Sequence, residues 1–454
     1  MKISRSLPLL TLFCILLYAG SINLLGTISV VAPYFILLLP KAKIQSCSHF
    51  IIIRCTLILY SLLYVTRILV TDLFPFDRFF GRVTLPVSGI NEATILASFF
   101  TTFFLLGVLA IHAFGSSNCK LERGYRKAEF IWLSTYADVI STLSLVSLIF
   151  FLLSNGNPVN FIRHLVSHSK SYDDISPISS LGLSFWSIFS VISISIAIHT
   201  SLIAKSYKKM PYILLILFAY IFVFGSRLDL FTIMILVYAL HAAAGLRLSL
   251  FTKVSFLALF VPISLFVIFT RLQGNTSGIR IYSLMTYPIL DASQVVISQP
   301  THTYASIFTL ERTSQYLGSF VPRFLSLNKI STQKNRLDTI FADTLGTEMQ
   351  RGRTGWPTGA FTELYLYGGW LFVGVSAFIA GMFMVKMLAH FDQSHNSGTG
   401  KNKIMFLVIL LFWVAWYKDG DFFSSLQGSI RLILYSLVAI KLIDFIQRLK
   451  QSLR

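Results

Sequence analysis

Charged side chains are scarce in this chain. They make up 13% of its 454 residues, whereas hydrophobic residues make up 55%, and the mean hydropathy is +0.71. A soluble domain carries about a quarter charged residues. The composition therefore excludes an ordinary soluble protein and favours one that lies in a membrane.

Cysteine is also rare, with four residues in the whole chain and no CxxC pair or Cys/His cluster. This pattern excludes a disulfide framework and a zinc site. The sequence lacks a Walker A motif and a GxGxxG motif, so nothing in it indicates a bound nucleotide. We therefore predict neither a metal nor a cofactor.

Apolar runs long enough to cross a bilayer, or nearly so, occupy most of the chain. The first run has no clear small-residue cleavage site and is interpreted as a retained helix rather than a signal peptide. The pattern predicts an all-α polytopic membrane protein with about twelve transmembrane helices. The runs lie near 7–25, 28–40, 50–70, 92–114, 131–153, 181–204, 211–225, 229–245, 254–270, 361–385, 404–417 and 430–446.

The formal net charge is +19, and the basic residues fall mainly in alternate loops. Lys and Arg accumulate in the cytoplasmic loops of membrane proteins, so this alternation predicts cytoplasmic N- and C-termini and argues against nucleic acid as the partner. The basic segments contain Lys2 and Arg5, Lys41 and Lys43, Lys120 to Lys127, Lys205 to Lys209, Arg247 and Lys253, Lys386 to Lys403, and Arg448 to Arg454.

One outer loop, 271–360, is far longer than the others. It divides the chain into an N-terminal bundle of about nine helices (1–270), the loop itself, and a C-terminal group of about three helices (361–454). The loop is too polar to span a membrane, yet it contains aromatic residues, prolines and apolar patches. This composition favours short helices folded against the membrane face over a disordered linker.

The large loop carries nine basic residues against five acidic ones, and arginine outnumbers lysine seven to two. Arginine binds phosphate through a planar fork of donors. The loop therefore predicts an anionic ligand such as a pyrophosphate, with Arg271, Arg280, Arg351 and Arg353 as candidates. The alternative is a solvated loop that touches anionic lipid headgroups.

Three further arginines lie close to apolar runs. Arg227 lies in Gly-Ser-Arg-Leu-Asp between two runs with almost no loop, where a charge is costly and is usually paired or functional. Asp229 is a candidate partner, and a snorkelling side chain is the alternative. Arg54 and Arg67 lie near the ends of the third run, where snorkelling explains them as well as function does.

The segment 351–370 leads from the large loop into the tenth apolar run. Its glycines allow the backbone to approach a ligand closely. Glu363 lies where the helix is expected to begin, as a buried general base or as a carboxylate that the helix dipole favours. A second polar cluster, Trp416 to Asp421, lies near the same membrane face, and we interpret it as an aromatic belt with a turn rather than as part of the same cavity.

These features resemble the bacterial oligosaccharide repeat-unit polymerases of the Wzy type, which make O-antigen. The resemblance rests on the layout, on Gly225-Ser-Arg227 before a hydrophobic helix, and on Pro357-Thr-Gly-Ala-Phe-Thr-Glu-Leu-Tyr-Leu-Tyr-Gly-Gly369. Arg353 and Gly369 also match an Arg-x15-Gly spacing of some members. The smaller loop 154–180 does not repeat that spacing, because Ser179 stands where the glycine would follow Arg163.

The resemblance implies a membrane-embedded glycosyltransferase of the GT-C class in the bacterial inner membrane, acting in lipopolysaccharide biosynthesis. Its substrates would be oligosaccharides linked to undecaprenyl pyrophosphate in the membrane lipid, and a chain-length regulator protein is an optional partner. Glu363 and Arg353 would be catalytic. Arg227, Arg271, Arg280, Arg351 and Tyr365 would bind the substrate and its pyrophosphate, so that arginines take the role of a metal.

Two related functions compete with this interpretation. An O-antigen ligase would share the arginine-bearing loop but would transfer the polysaccharide to lipid A–core. A flippase for lipid-linked oligosaccharides would be a transporter, with short outer loops and charges inside its helices. The ninety-residue loop 271–360 argues against the flippase.

Overall fold

The described part of the protein is almost entirely helical. The structure is a computed structural model, and it describes residues 24–38, 47–68, 78–80, 83–85, 90–114, 127–154, 177–205, 208, 211–217, 227–246, 289–298, 358–393 and 401–452. The apolar run 254–270, most of the run 7–25 and most of the loop 271–360 lie outside these residues.

Eleven helices are described, together with one antiparallel hairpin of Arg78–Phe80 and Val83–Leu85. They are α1 (Leu24–Val31, continued by the 3₁₀ segment Ala32–Leu38), α2 (Cys47–Tyr60, continued by a π turn at Ser61–Val65), α3 (Glu92–Phe114), α4 (Lys127–Ser154), α5 (Pro177–Ala204), α6 (211–217), α7 (Arg227–Ala243), α8 (Ile289–Ser298), α9 (Gly359–Gln393), α10 (Lys401–Asp419) and α11 (Phe422–Ser452).

Five described segments are long and apolar enough to cross a membrane. They are Ser48–Ile68, Glu92–Ile111, Glu129–Phe150, Gly359–Phe391 and Phe422–Phe445. Their apolar side chains divide between a shared interior and an exposed surface; Leu371 and Val438, for example, are 80% and 68% exposed. Exposed aliphatic side chains along such helices are what a lipid environment accepts. The prediction of a helical membrane protein is confirmed at this level.

Helices α3 and α9 pack in close contact, and glycine makes it possible. A Cβ atom on Gly107 would lie 2.0 Å from the carbonyl oxygen of Phe378, and one on Gly381 would lie 2.1 Å from that of Phe104. Small residues allow membrane helices to approach until their backbones touch, which increases van der Waals contact. The two glycines therefore set the distance between α3 and α9.

The two ends of the bundle collect different polar groups. At one end Arg67 pairs with Asp291, next to loops that the basic-residue pattern assigns to the outside. At the other end Asp444 Oδ2 lies 2.6 Å from Lys401 Nζ, and Trp132 Nε1 donates to Asp444 Oδ1 over 3.4 Å. Which of these two ends faces the cytoplasm stays a prediction from the pattern of Lys and Arg.

We expect Gly381→Ala to lower the free energy of unfolding by about 1–3 kcal/mol, because overpacking against a fixed backbone forces α3 and α9 apart. The control is Gly428→Ala in α11, where no atom lies within 4 Å of the added Cβ. That change should be neutral or stabilising, since alanine favours helices more than glycine does. Thermal unfolding in detergent measures both, and equal midpoints for the two variants would contradict the close-packing argument.

Candidate functional site

Glu363 is a buried carboxylate at the junction of α9, α10 and α11. Its residue is 2% exposed. Its Oε2 accepts a hydrogen bond from Trp416 Nε1 over 3.1 Å and another from the backbone N–H of Phe422 over 3.0 Å. A buried carboxylate is costly unless donors satisfy it. These two N–H groups provide that stabilisation and fix the orientation of the carboxylate.

The second donor belongs to the N-terminus of another helix. Phe422 is the first residue of α11, and the first N–H groups of a helix have no partner within it. Asp421 caps the same helix, since its Oδ1 accepts from Ser424 N over 2.9 Å. Glu363 thus meets the positive end of the α11 dipole. The sequence suggested the dipole of Glu363's own helix, but its first turn contains no acidic residue.

Two glycines bring these segments into contact. Gly359 and Gly420 have φ angles of +74° and +68°, in the left-handed region that favours glycine. A Cβ on Gly420 would lie 2.3 Å from the carbonyl oxygen of Gly359. The start of α9 and the turn between α10 and α11 therefore cross in direct backbone contact. This crossing places Glu363, one turn further along α9, against Trp416 and Phe422.

A cluster of buried aromatic side chains supports the crossing. Phe361 packs edge-on against Tyr64 with ring centroids 5.7 Å apart, and Tyr64 lies 5.6 Å from Tyr417. The Tyr64 hydroxyl donates to the carbonyl oxygen of Tyr417 over 3.3 Å, and the Tyr417 hydroxyl lies 2.8 Å from Thr101 Oγ1. Buried tyrosines are favourable when their hydroxyls find partners. The cluster joins α2, α3, α9 and α10.

Helix α9 is broken shortly after Glu363. Gly368 has an extended backbone, and Gly369 has a φ of +65° and a ψ of −161°. A continuous 35-residue helix would be about 50 Å long, well beyond the ~30 Å hydrocarbon layer. The break separates a short segment that carries Glu363 and Tyr365 from a long one that begins at Trp370. Tyr365 is half-buried, with its ring centroid 6.3 Å from that of Trp370.

The predicted site residues are described only in part. Arg227 begins α7, but its side chain lies outside the described residues, as do Arg271, Arg280, Arg351 and Arg353. The sequence-based proposal that these arginines meet Glu363 in one cavity therefore stays a prediction. Of the candidates, the structure describes the side chains of Glu363 and Tyr365, which lie two residues apart on the short segment of α9.

The sequence misjudged one feature of this end and left another open. Trp416 and Asp421 were expected to form an aromatic belt and a turn, but Trp416 donates a hydrogen bond to Glu363, and Asp421 caps the helix whose first N–H meets Glu363. For Arg67 the sequence left a snorkelling side chain and a functional one equally open, and the structure shows a side chain that is 1% exposed and paired with Asp291. The only sequence signal for either was a charged or polar residue at the end of an apolar run.

Among the residues that the structure describes, no group of three or more His, Cys, Asp or Glu side chains is arranged to hold a metal ion. Comparison with protein families, with curated proteins and with solved structures finds no match to this chain.

We expect Trp416 and Glu363 to be energetically coupled by about 1.5–3 kcal/mol, the value of a hydrogen bond to a charged group. In a double-mutant cycle, Trp416→Phe should cost much less stability in a Glu363→Ala background than in the wild type. Trp413→Phe is the matched control, because the described residues supply no acceptor for Trp413 Nε1. Denaturant unfolding in detergent measures the cycle; additive losses for Trp416 would contradict the coupling.

Proposed function

We propose that this protein is an O-antigen polymerase of the Wzy type, a GT-C-like glycosyltransferase with about twelve transmembrane helices. It joins oligosaccharide repeat units carried on undecaprenyl pyrophosphate at the periplasmic face of the bacterial inner membrane. Both termini lie in the cytoplasm. A chain-length regulator would act on it as a separate protein.

The observation that carries this proposal is the buried carboxylate of Glu363 at the end of the bundle that adjoins the arginine-rich loop. A carboxylate that accepts N–H donors on one oxygen is held in a defined orientation, as a general base must be. The glycine-rich approach 357–369 that resembles the polymerases contains this residue. The short helical segment on which it lies is separated from the long span by Gly368 and Gly369.

In the proposed reaction, Glu363 accepts the proton of an acceptor hydroxyl on one lipid-linked repeat unit. The acceptor oxygen bonds to the anomeric carbon of the growing chain, and the bond from that carbon to the phosphate oxygen breaks. Undecaprenyl pyrophosphate leaves with the electron pair. Arg353, Arg227 and the other loop arginines stabilise its charge, because pyrophosphate needs concentrated positive charge as it departs.

Glu363→Gln, Arg353→Ala and Arg227→Ala are each expected to abolish long O-antigen chains while the protein still inserts in the membrane. A general base contributes about 10²–10⁴-fold to the rate, so a strain carrying Glu363→Gln should make essentially no polymer. The measurement is the lipopolysaccharide ladder of a deletion strain that expresses each variant, with the amount of membrane protein determined in parallel.

The matched control is Asp444→Asn, which alters a partly exposed carboxylate that pairs with Lys401 at the opposite end of the bundle. It should leave the ladder unchanged. Normal ladders from all three site variants would reject the assignment of the site. The deletion strain itself separates polymerase from ligase, because loss of the polymerase leaves core plus one repeat unit, whereas loss of the ligase leaves bare core.

A flippase is the second candidate, favoured by one pair of buried histidines. His199 Nδ1 and His241 Nδ1 lie 2.7 Å apart between α5 and α7, at the end of the bundle opposite Glu363. Ionisable groups inside a membrane bundle are often parts of proton pathways in transporters. A flippase predicts bare core in the deletion strain, since no repeat unit would reach the outer face.

A further inference from the structure

A buried ion pair joins α2 to a helix of the large loop. Arg67, two residues beyond the π turn that continues α2, contacts Asp291 in the first turn of α8, and both side chains are 1% exposed. Removing one partner of a buried ion pair leaves an uncompensated charge and is strongly destabilising. The intact pair therefore stabilises the position of α8 at this end of the bundle.

The helix before Arg67 is locally irregular. A single π turn covers Ser61–Val65, and the carbonyl oxygen of Ser61 accepts both the backbone N–H of Thr66 and, over 2.9 Å, its hydroxyl. A π turn is wider than an α turn, so it changes the direction in which the following residues point. Arg67 is the second residue after it. The irregular turn thus contributes to aiming Arg67 at Asp291.

Helix α8 in turn contacts the starts of α3 and α9. Gln294 Oε1 accepts the backbone N–H of Ala93, near the start of α3, over 2.9 Å. Ser293 Oγ donates to the carbonyl oxygen of Thr358, and Thr362 Oγ1 donates to the same oxygen over 2.7 Å. Thr358 immediately precedes α9. The carbonyl at the start of the Glu363 segment is therefore held from α8 as well as from its own helix.

We propose that Arg67 and Asp291 are positioning residues, which hold α8 against the start of α9 and thereby set the segment that carries Glu363. Eight of the ten residues of α8 are buried, as expected for a helix that is fixed in the bundle rather than for a lid. The effect on catalysis rests on the proposed function. The inference that Arg67 and Asp291 fix α8 does not depend on the proposed function, and it is tested separately.

The first experiment measures how often α8 opens. Ala292→Cys places a thiol at a position that is 1% exposed, in a protein whose four native cysteines are replaced by alanine. A polar maleimide should label it slowly. Adding Asp291→Asn or Arg67→Met should accelerate labelling by about a hundredfold or more, because the buried pair no longer opposes local opening.

The double variant Arg67→Met/Asp291→Asn should label no faster than either single variant, since both changes remove the same interaction. Ser298→Cys, at the exposed end of α8, should label rapidly in every background. Lys401→Met, which breaks the half-exposed pair at the opposite end of the bundle, should leave labelling at position 292 unchanged. Slow labelling at 292 in the Arg67 and Asp291 variants would overturn the fixing of α8.

The second experiment measures turnover in lipid vesicles with an undecaprenyl-pyrophosphate-linked repeat unit. Asp291→Asn and Arg67→Met should lower kcat by about a hundredfold, the effect of misplacing a catalytic group by about 1 Å, with a smaller change in KM. Arg67→Lys, which keeps the charge, should recover part of the rate. A merely structural role would lower the amount of folded protein and leave kcat per folded molecule unchanged.

The two proposals fail differently. If Glu363→Gln keeps wild-type turnover, the proposed function is wrong, while the labelling experiment still decides whether Arg67 and Asp291 fix α8. If Glu363→Gln is inactive but the Arg67 and Asp291 variants turn over normally, the proposed function stands and the positioning role is overturned.

Discussion

A carboxylate buried among membrane helices must be given hydrogen-bond donors by the protein, because the hydrocarbon layer provides none. Glu363 obtains them from Trp416 and from the first N–H of α11. This requirement explains the surrounding architecture. The turn between α10 and α11 has to lie against the start of α9, and the contact between Gly359 and Gly420 allows it.

The same end of the bundle satisfies a second pair of buried charges. Arg67 and Asp291 come from distant parts of the chain and neutralise each other where α8 docks. Polar contacts of Ser293 and Gln294 then connect α8 to the starts of α9 and α3. Four chain segments that the sequence assigns to the outer face thus form one polar cap over an apolar bundle.

Close packing below this cap gives it a rigid base. The glycine contacts between α3 and α9 remove the space in which either helix could shift. The aromatic cluster of Tyr64, Phe361 and Tyr417 joins α2, α9 and α10 next to the segment that carries Glu363. The glycine contacts and the aromatic cluster thus hold the carboxylate of Glu363 in a fixed place.

The sequence by itself determined that the protein is a helical membrane protein and where most of the described helices lie, because hydropathy and charge alternation are local properties. It also identified Glu363 as a candidate site residue. The run 92–114 coincides with α3, whereas α9 extends beyond its predicted run and is broken at two glycines. Only the tertiary structure decided what Glu363, Trp416 and Arg67 contact. Their partners lie 53 to 224 residues away in the chain, and no local pattern encodes which distant segment will satisfy a buried charge.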